Sequence, residues 1–413
     1  MRAIPILYFS NETDRGGAEE HLLALLRGLD RNLFRLHLAC TNEMAEKLQP
    51  DVPDDVEVFP VTLRKPTHFA GMIRLARILR RRQIGILHSH LFYASLFASP
   101  VGRLVGVPLV FETPHLKERW RKGRLKSSYA VDRMIGRLVD YYVAVSKANA
   151  QYLIEEKMLP PGKIVVIRNG CDVNRFNPAH EVPNGLRASL GFDPGDPVLV
   201  EMARLEPQKG HHVLLGALPL IRARFPKTRV VCVGEGSLRE ELTQQAAALG
   251  LKDCVRFVGF QPNVEDWLAL ATATVLPSFY EGLPLAAIES LAAGKPVLAS
   301  AVDGTPEVVR HGITGFTFRP GHSGELAETA CRILREPELG RAMGQAGRRW
   351  VLEHFSLRQQ IDKTQALYCQ AWERREYGRQ NEATLGTLAV AHGKPLGSLS
   401  AEGERQTNSE RIV

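Results

Sequence analysis

Two apolar patterns alternate along the chain. Runs of four to six residues rich in Val, Ile and Leu are separated by longer stretches whose apolar residues recur every three or four positions. The runs predict strands at 4–9, 36–39, 56–60, 84–87, 109–112, 141–146 and 164–167. A second set is predicted at 198–203, 229–233, 255–258, 273–276 and 296–299. The longer period predicts helices between them, for example at 18–29, 69–82 and 285–293. Strands this uniformly apolar are buried on both faces, as in parallel sheets covered by helices. The alternation therefore predicts an α/β chain with two doubly wound, Rossmann-like domains.

Turn formers crowd the space between the two sets: Asn177-Pro178, Pro183-Asn184-Gly185 and Asp193-Pro194-Gly195-Asp196-Pro197. They place a linker at about 177–195 and a first domain over 1–185. From 378 to 413 the apolar period fades into Gly, Ser, Glu and Asn, and this segment is expected to be a mostly disordered tail.

A length of 413 residues supplies material for two or three domains, and 44% hydrophobic with 24% charged residues excludes a disordered or fibrous chain. The uncharged stretch from Trp267 to Tyr280 falls short of the roughly twenty residues that a spanning helix needs. The N-terminus has no secretory pattern, so a cytoplasmic protein is expected. The six cysteines, at 40, 171, 232, 254, 331 and 369, are too scattered for a zinc ribbon or redox pair, and are expected to be structural thiols.

The net charge of +8 is clumped. Residues 64–82 carry seven bases and no acid, and 117–126 carry six bases and one acid. Either a solvated face or an anionic partner fits this pattern. No nucleic-acid-binding motif accompanies the clusters, so no nucleic-acid partner is expected. Apolar residues interleave with the bases, as suits an anionic membrane surface.

Ligands of open parallel sheets bind beyond the carboxyl ends of the strands, so the residues there carry the chemistry. Gly16-Gly17 follows the first strand and opens a helix, where backbone can approach an anion closely. Arg204 and Lys209 flank the turn after 198–203, a fork donor and a point charge suited to a diphosphate. After 273–276 come Glu281, Gly282, Leu283 and Pro284, the proline suiting a first helical turn. Glu289 then stands in a helix of Leu, Ala and Ile, where a carboxylate is costly unless it accepts hydrogen bonds, for instance from ribose hydroxyls. Asp303-Gly304-Thr305-Pro306-Glu307 repeats the design one strand later. His88, His90 and His115 reach one edge of the first sheet. No G-x-G-x-x-G is present, which argues against a dinucleotide.

These marks together resemble the retaining glycosyltransferases of family four, with the two-domain GT-B architecture facing a central cleft. The resemblance spans about 4–375. It rests on Gly16-Gly17-Ala18-Glu19, His88-Ser89-His90, Val145-Ser146, Ile167-Arg168-Asn169-Gly170-Cys171-Asp172 and Arg175-Phe176. It continues through Ala203-Arg204-Leu205, Lys209-Gly210, Val233-Gly234-Glu235-Gly236, Phe257-Val258-Gly259, Glu281 to Glu289, and Gly304 to Glu307. The chain departs from the family at Asp303, where glycine is commoner, and at Cys171, where valine is usual.

The resemblance implies a nucleotide-sugar donor, a UDP- or GDP-sugar, bound by a second domain over 186–356. Arg204 and Lys209 would hold its diphosphate with Gly16 and Gly17, and Glu289 its ribose. Glu281, with the backbone of Gly282, Leu283 and Pro284, would place the sugar. Gly234 would belong to the donor site, and Val258 would lie near the base. The first domain would bind a glycan or lipid-linked acceptor, with His115 near the reacting centre. A last helix over 357–377 would cross back to it. No cofactor and no metal are implied, because fixed cations can stabilise the leaving diphosphate and the chain has no Asp-x-Asp triplet. Retention would follow from same-face attack. The resemblance leads to cell-surface polysaccharide assembly, including lipopolysaccharide, at the inner face of the plasma membrane. A non-catalytic nucleotide-sugar-binding regulator and an epimerase on the same fold stay open.

Overall fold

The computed structural model describes residues 3–118 and 128–391. Seven parallel strands build the first sheet: β1 (Ile4–Phe9), β2 (Phe34–Cys40), β3 (Glu57–Pro60), β4 (Ile86–His90), β5 (Leu109–Thr113), β6 (Tyr141–Ala144) and β7 (Ile164–Val166). Six parallel strands build the second: β8 (Val198–Met202), β9 (Arg229–Val233), β10 (Val255–Gly259), β11 (Ala273–Leu276), β12 (Val297–Ser300) and β13 (Gly315–Phe318). Their orders are β3-β2-β1-β4-β5-β6-β7 and β10-β9-β8-β11-β12-β13. Strand order therefore reverses beside β1 in one sheet and beside β8 in the other, and such switch points open crevices at the carboxyl ends.

Continuous apolar runs explain the double burial. On β8, Val198, Val200 and Met202 face one core and Leu199 faces the other. Each fully buried Val or Leu contributes about 1.5–3 kcal/mol, so register is fixed from both sides. The position with no such account is Glu201, which shares the face of Leu199 and is fully buried.

β13 is not predicted by the sequence. It is four residues, Gly-Phe-Thr-Phe, between turn glycines Gly312 and Gly321, both at positive φ, and reads as part of one long turn. Pro284 caps the helix Leu285–Ala292 from extended backbone rather than sitting in its first turn. The last helix runs Leu357–Ala391, so the chain from 378 to 391 is helical where a tail is expected. The rest of that tail, 392–413, and the basic segment from 119 to 126 lie outside the described residues.

The chain divides into a unit Met1–Ala366, which holds both sheets, and a second, Leu367–Val413, whose described residues are helical. Within the first, the start of the last helix packs on the first lobe: a Cβ at Gly28 would fall 2.0 Å from Ile361 Cδ1. Gln360 Oε1 accepts the Gly170 amide at 2.6 Å. No described helix is long and apolar enough to cross a membrane. Cys40, Cys171, Cys232, Cys254 and Cys331 are buried and free.

Candidate active site

A cleft of about 890 Å³ opens where the two switch points face each other. Its walls include Gly16, Gly17, His115, Arg204, Lys209, Gly234, Glu281, Gly282, Leu283, Pro284 and Glu289. Val258 is not on the wall. A bulge between Phe257 and Gly259 turns the edge strand β10, Val258 packs against the core, and Phe260 and Gln261 line the cleft instead.

The cationic corner forms where the chain leaves β8. A Cβ built on Gly16 would lie 3.7 Å from Arg204 Nε, so the guanidinium sits against the start of the helix Gly17–Gly28. The first amides of a helix lack intrahelical partners, and Gly17 and Ala18 border the cleft there. Glu19 turns back to accept the Gly16 amide at 3.1 Å, and burial pushes its carboxyl up to about 7. No described residue hydrogen-bonds the Arg204 guanidinium, which leaves it open to an anion. The Lys209 ammonium lies 2.6 Å from Glu281 Oε1.

The loop after β11 is held from both lobes. The Glu281 amide donates to Asp303 Oδ2 at 3.0 Å, and Asp303 Oδ1 lies 3.2 Å from Lys117 Nζ. Ser146 Oγ donates to the Gly282 carbonyl at 2.9 Å, and Asn169 Nδ2 to the Leu283 carbonyl at 3.3 Å. A Cβ on Gly282 would fall 1.7 Å from the His115 carbonyl oxygen, so only glycine fits. Glu307 accepts the Ala148 amide at 3.0 Å and Arg168 Nε at 3.1 Å. Glu289, half-buried on the helix Leu285–Ala292, has no described hydrogen-bond partner, and burial pushes its carboxyl up to about 7.

The histidines form one buried cluster. His90 Nδ1 lies 2.9 Å from His115 Nε2, and His88 Nε2 lies 2.8 Å from Thr113 Oγ1. His21, which sequence reasoning missed, packs edge-on to His115 at 4.9 Å. Its Nδ1 lies 2.8 Å from Asn169 Oδ1 and 3.1 Å from Gln360 Nε2. Burial holds these rings neutral: His21 is pushed down to about 4, His88 to about 3, and His90 and His115 well below the usual range. His115 is thus suited to hydrogen bonding at the cleft wall rather than to carrying a charge. A second group missed from sequence, Glu201, His211 and Cys232, lies buried at the root of the cleft.

Residues 184–350 match the family described as glycosyl transferases group 1, and residues 15–175 match glycosyltransferase family 4. A D-inositol 3-phosphate glycosyltransferase of Thermobispora bispora is 31% identical over 289 residues, 65% of this chain and 67% of the relative. A glycogen synthase of Mycobacterium tuberculosis is 31% identical over 296 residues, 69% of each chain. Among solved structures, Anabaena Alr3699/HepE in complex with UDP-glucose superposes with a TM-score of 0.78 at 21% identity, over 88% of this chain and 99% of that one. At that identity the likeness is one of fold, and it agrees with the two facing α/β domains.

Proposed function

Because this chain belongs to the family-four glycosyltransferases and has their two-domain GT-B fold, we propose that it moves a sugar from a nucleotide diphosphate to a glycan or lipid-linked acceptor with retention. The observation that carries this reading is the open guanidinium of Arg204 beside Lys209, facing the helix start at Gly16-Gly17. Arg204, Lys209 and the helix start all line one cleft, and negative charge develops on a departing diphosphate.

In this reading the bond between the anomeric carbon and the phosphate oxygen breaks as the acceptor oxygen attacks from the same face. The acceptor's proton passes to the departing phosphate oxygen. Arg204, Lys209 and the amides of Gly17 and Ala18 stabilise that oxygen's group without reorganising, so no metal is called for at the diphosphate. Glu289 accepts the ribose hydroxyls, Glu281 with Gly282, Leu283 and Pro284 orients the sugar, and His115 hydrogen-bonds at the reacting centre. Structures of Alr3699/HepE with UDP and with UDP-glucose support a UDP-sugar donor, with GDP-sugars as the alternative base. Named relatives act on small and polymeric acceptors alike, and EpsD of Bacillus subtilis is named as a putative glycosyltransferase. The basic helix Phe69–Arg81 supports an acceptor reached at an anionic membrane surface, as in cell-surface polysaccharide assembly.

The test is a donor screen by mass spectrometry with the full chain, offering UDP- and GDP-sugars in excess chelator with lipid-linked and free glycan acceptors. The reading expects one donor to be consumed and the product anomer, by NMR, to match the donor's. Product of inverted configuration, or turnover only on adding a divalent ion, would overturn the mechanism.

A further inference from the structure

Glu201, His211 and Cys232 come from three elements that meet beneath the Lys209 turn. Parallel register sets Glu201 of β8 directly beside Cys232 of β9. His211 is the first residue of the helix His211–Arg222. All three are 0–1% exposed. One donor atom from each lies within 4.8 Å of the other two. Neither Glu201 oxygen and neither His211 ring nitrogen has a hydrogen-bond partner.

Four orphaned polar atoms in an apolar core are expensive, at about 1–3 kcal/mol each. A proton shared between Glu201 and His211 would satisfy one oxygen and one nitrogen and leave the rest orphaned. A divalent cation accounts for more: both Glu201 oxygens, one His211 nitrogen and the Cys232 sulfur give it four donors and leave only the second ring nitrogen orphaned. Carboxylate, imidazole and thiolate are the donors zinc accepts, whereas sulfur disfavours magnesium and calcium. Zinc bonds to oxygen and nitrogen run about 2.0–2.1 Å, which makes the tetrahedral edge about 3.4 Å. Glu201 Oε1 lies 3.4 Å from His211 Nε2, long for a hydrogen bond and right for that edge. One carboxylate, one thiolate and a dication sum to zero charge, the condition for burial.

We propose that Glu201, His211 and Cys232 bind zinc, as a structural brace under the cationic corner of the cleft. The ion ties β8 and β9 to the first residue after the Lys209-Gly210 turn. That turn has no slack: Gly210 sits at φ 73°, and a Cβ there would fall 2.2 Å from the Pro277 carbonyl oxygen. The carboxyl and the thiol each release a proton on binding. The ion is walled in by the core, so transfer that persists in chelator is compatible with it.

Metal analysis of the full chain, purified without a histidine tag and dialysed against EDTA, tests the site independently of any sugar transfer. The site predicts about one zinc per chain in the wild type. Glu201→Gln and Cys232→Ser should lower that content at least about tenfold. Cobalt supplied during expression should give a thiolate charge-transfer band that Cys232→Ser abolishes. Wild-type protein with less than about a tenth of a zinc per chain, even when produced in zinc-supplemented medium, would overturn the site and leave a proton-sharing pair. Undiminished zinc in folded Cys232→Ser would overturn it equally. Because wild-type content is decisive by itself, a variant that fails to fold does not shelter the proposal.

Discussion

The Lys209 ammonium and the Glu281 carboxylate lie 2.6 Å apart, tying the turn after β8 to the loop after β11. The pair joins a group assigned to the diphosphate with one assigned to the sugar, so each holds the other in place. Removing either leaves its partner uncompensated in a mostly buried setting. Lys209→Met and Glu281→Gln should each lower kcat/KM by at least about 10²-fold, since charged hydrogen bonds made at a developing charge are worth several kcal/mol. Steady-state kinetics checks this, and near wild-type values in both would contradict the assignment.

The Glu289 carboxyl, pushed up to about 7 by burial, sets a pH dependence. In the proposed donor site, ribose hydroxyls would donate to the ionised form. Nucleotide affinity should therefore fall up to about tenfold per pH unit below 7, and Glu289→Gln should flatten that slope while weakening binding at pH 8. Stability of the free protein runs the opposite way. The folded state holds this proton more tightly than the unfolded one, so the group's contribution falls as pH rises from 4.5 to about 7. Titration calorimetry and melting curves across pH 5–8 check both signs.

Asp303 occupies the left-handed region at φ 42°, where a non-glycine residue is strained. Its carboxylate offsets that strain by accepting the Glu281 amide and pairing with Lys117 across the cleft. Asp303→Ala should be less stable than Asp303→Gly by about 1–2 kcal/mol, because glycine relieves the backbone and alanine does not. Asp303→Asn should fall closest to wild type in stability. Denaturant melts of the three variants decide this, and equal losses for Ala and Gly would contradict it.

On the helix Phe69–Arg81, Leu75, Ile78 and Leu79 pack inward. Phe69 and Ile73 stand 66% and 51% exposed among exposed Arg74, Arg77, Arg80 and Arg81. The full chain should co-sediment with anionic but not neutral vesicles and release as salt rises. Arg74, Arg77, Arg80 and Arg81 changed to glutamine should reduce binding by about 1 kcal/mol each. Equal binding of the quadruple variant would contradict a role for this face.

Much of this was legible in the sequence. Strands β1, β9 and β11 begin and end where their apolar runs do, and the residues after β1, β8 and β11 meet in one cleft. What escaped was non-local. His21, Asn169 and Gln360 meet although 148 to 339 positions separate His21 from its partners, and no local period marks such a junction. Glu201 was absorbed into an apolar run, because a single polar residue does not break a strand pattern; only the register beside Cys232 and the helix start at His211 set it apart. Asp303 stands where glycine is commoner, and its carboxylate, bonded to the Glu281 amide, offsets a backbone strain that no sequence pattern marks.

The central claim is that this cleft holds a nucleoside diphosphate at Arg204 and Lys209. The Arg204 guanidinium makes no described hydrogen bond, so replacing it strands no hydrogen-bond partner; the buried Glu19 carboxyl nearby loses a favourable charge, so folding of the variant is checked alongside. Isothermal titration of UDP and GDP into wild type and into Arg204→Ala tests the claim most directly. The account predicts one-to-one binding of one of these nucleotides to wild type, and a Kd at least about 30-fold weaker in the folded variant, the loss of a charge-assisted contact worth about 2 kcal/mol. Equal affinity in the two proteins, or no binding of either nucleotide to wild type, would contradict it.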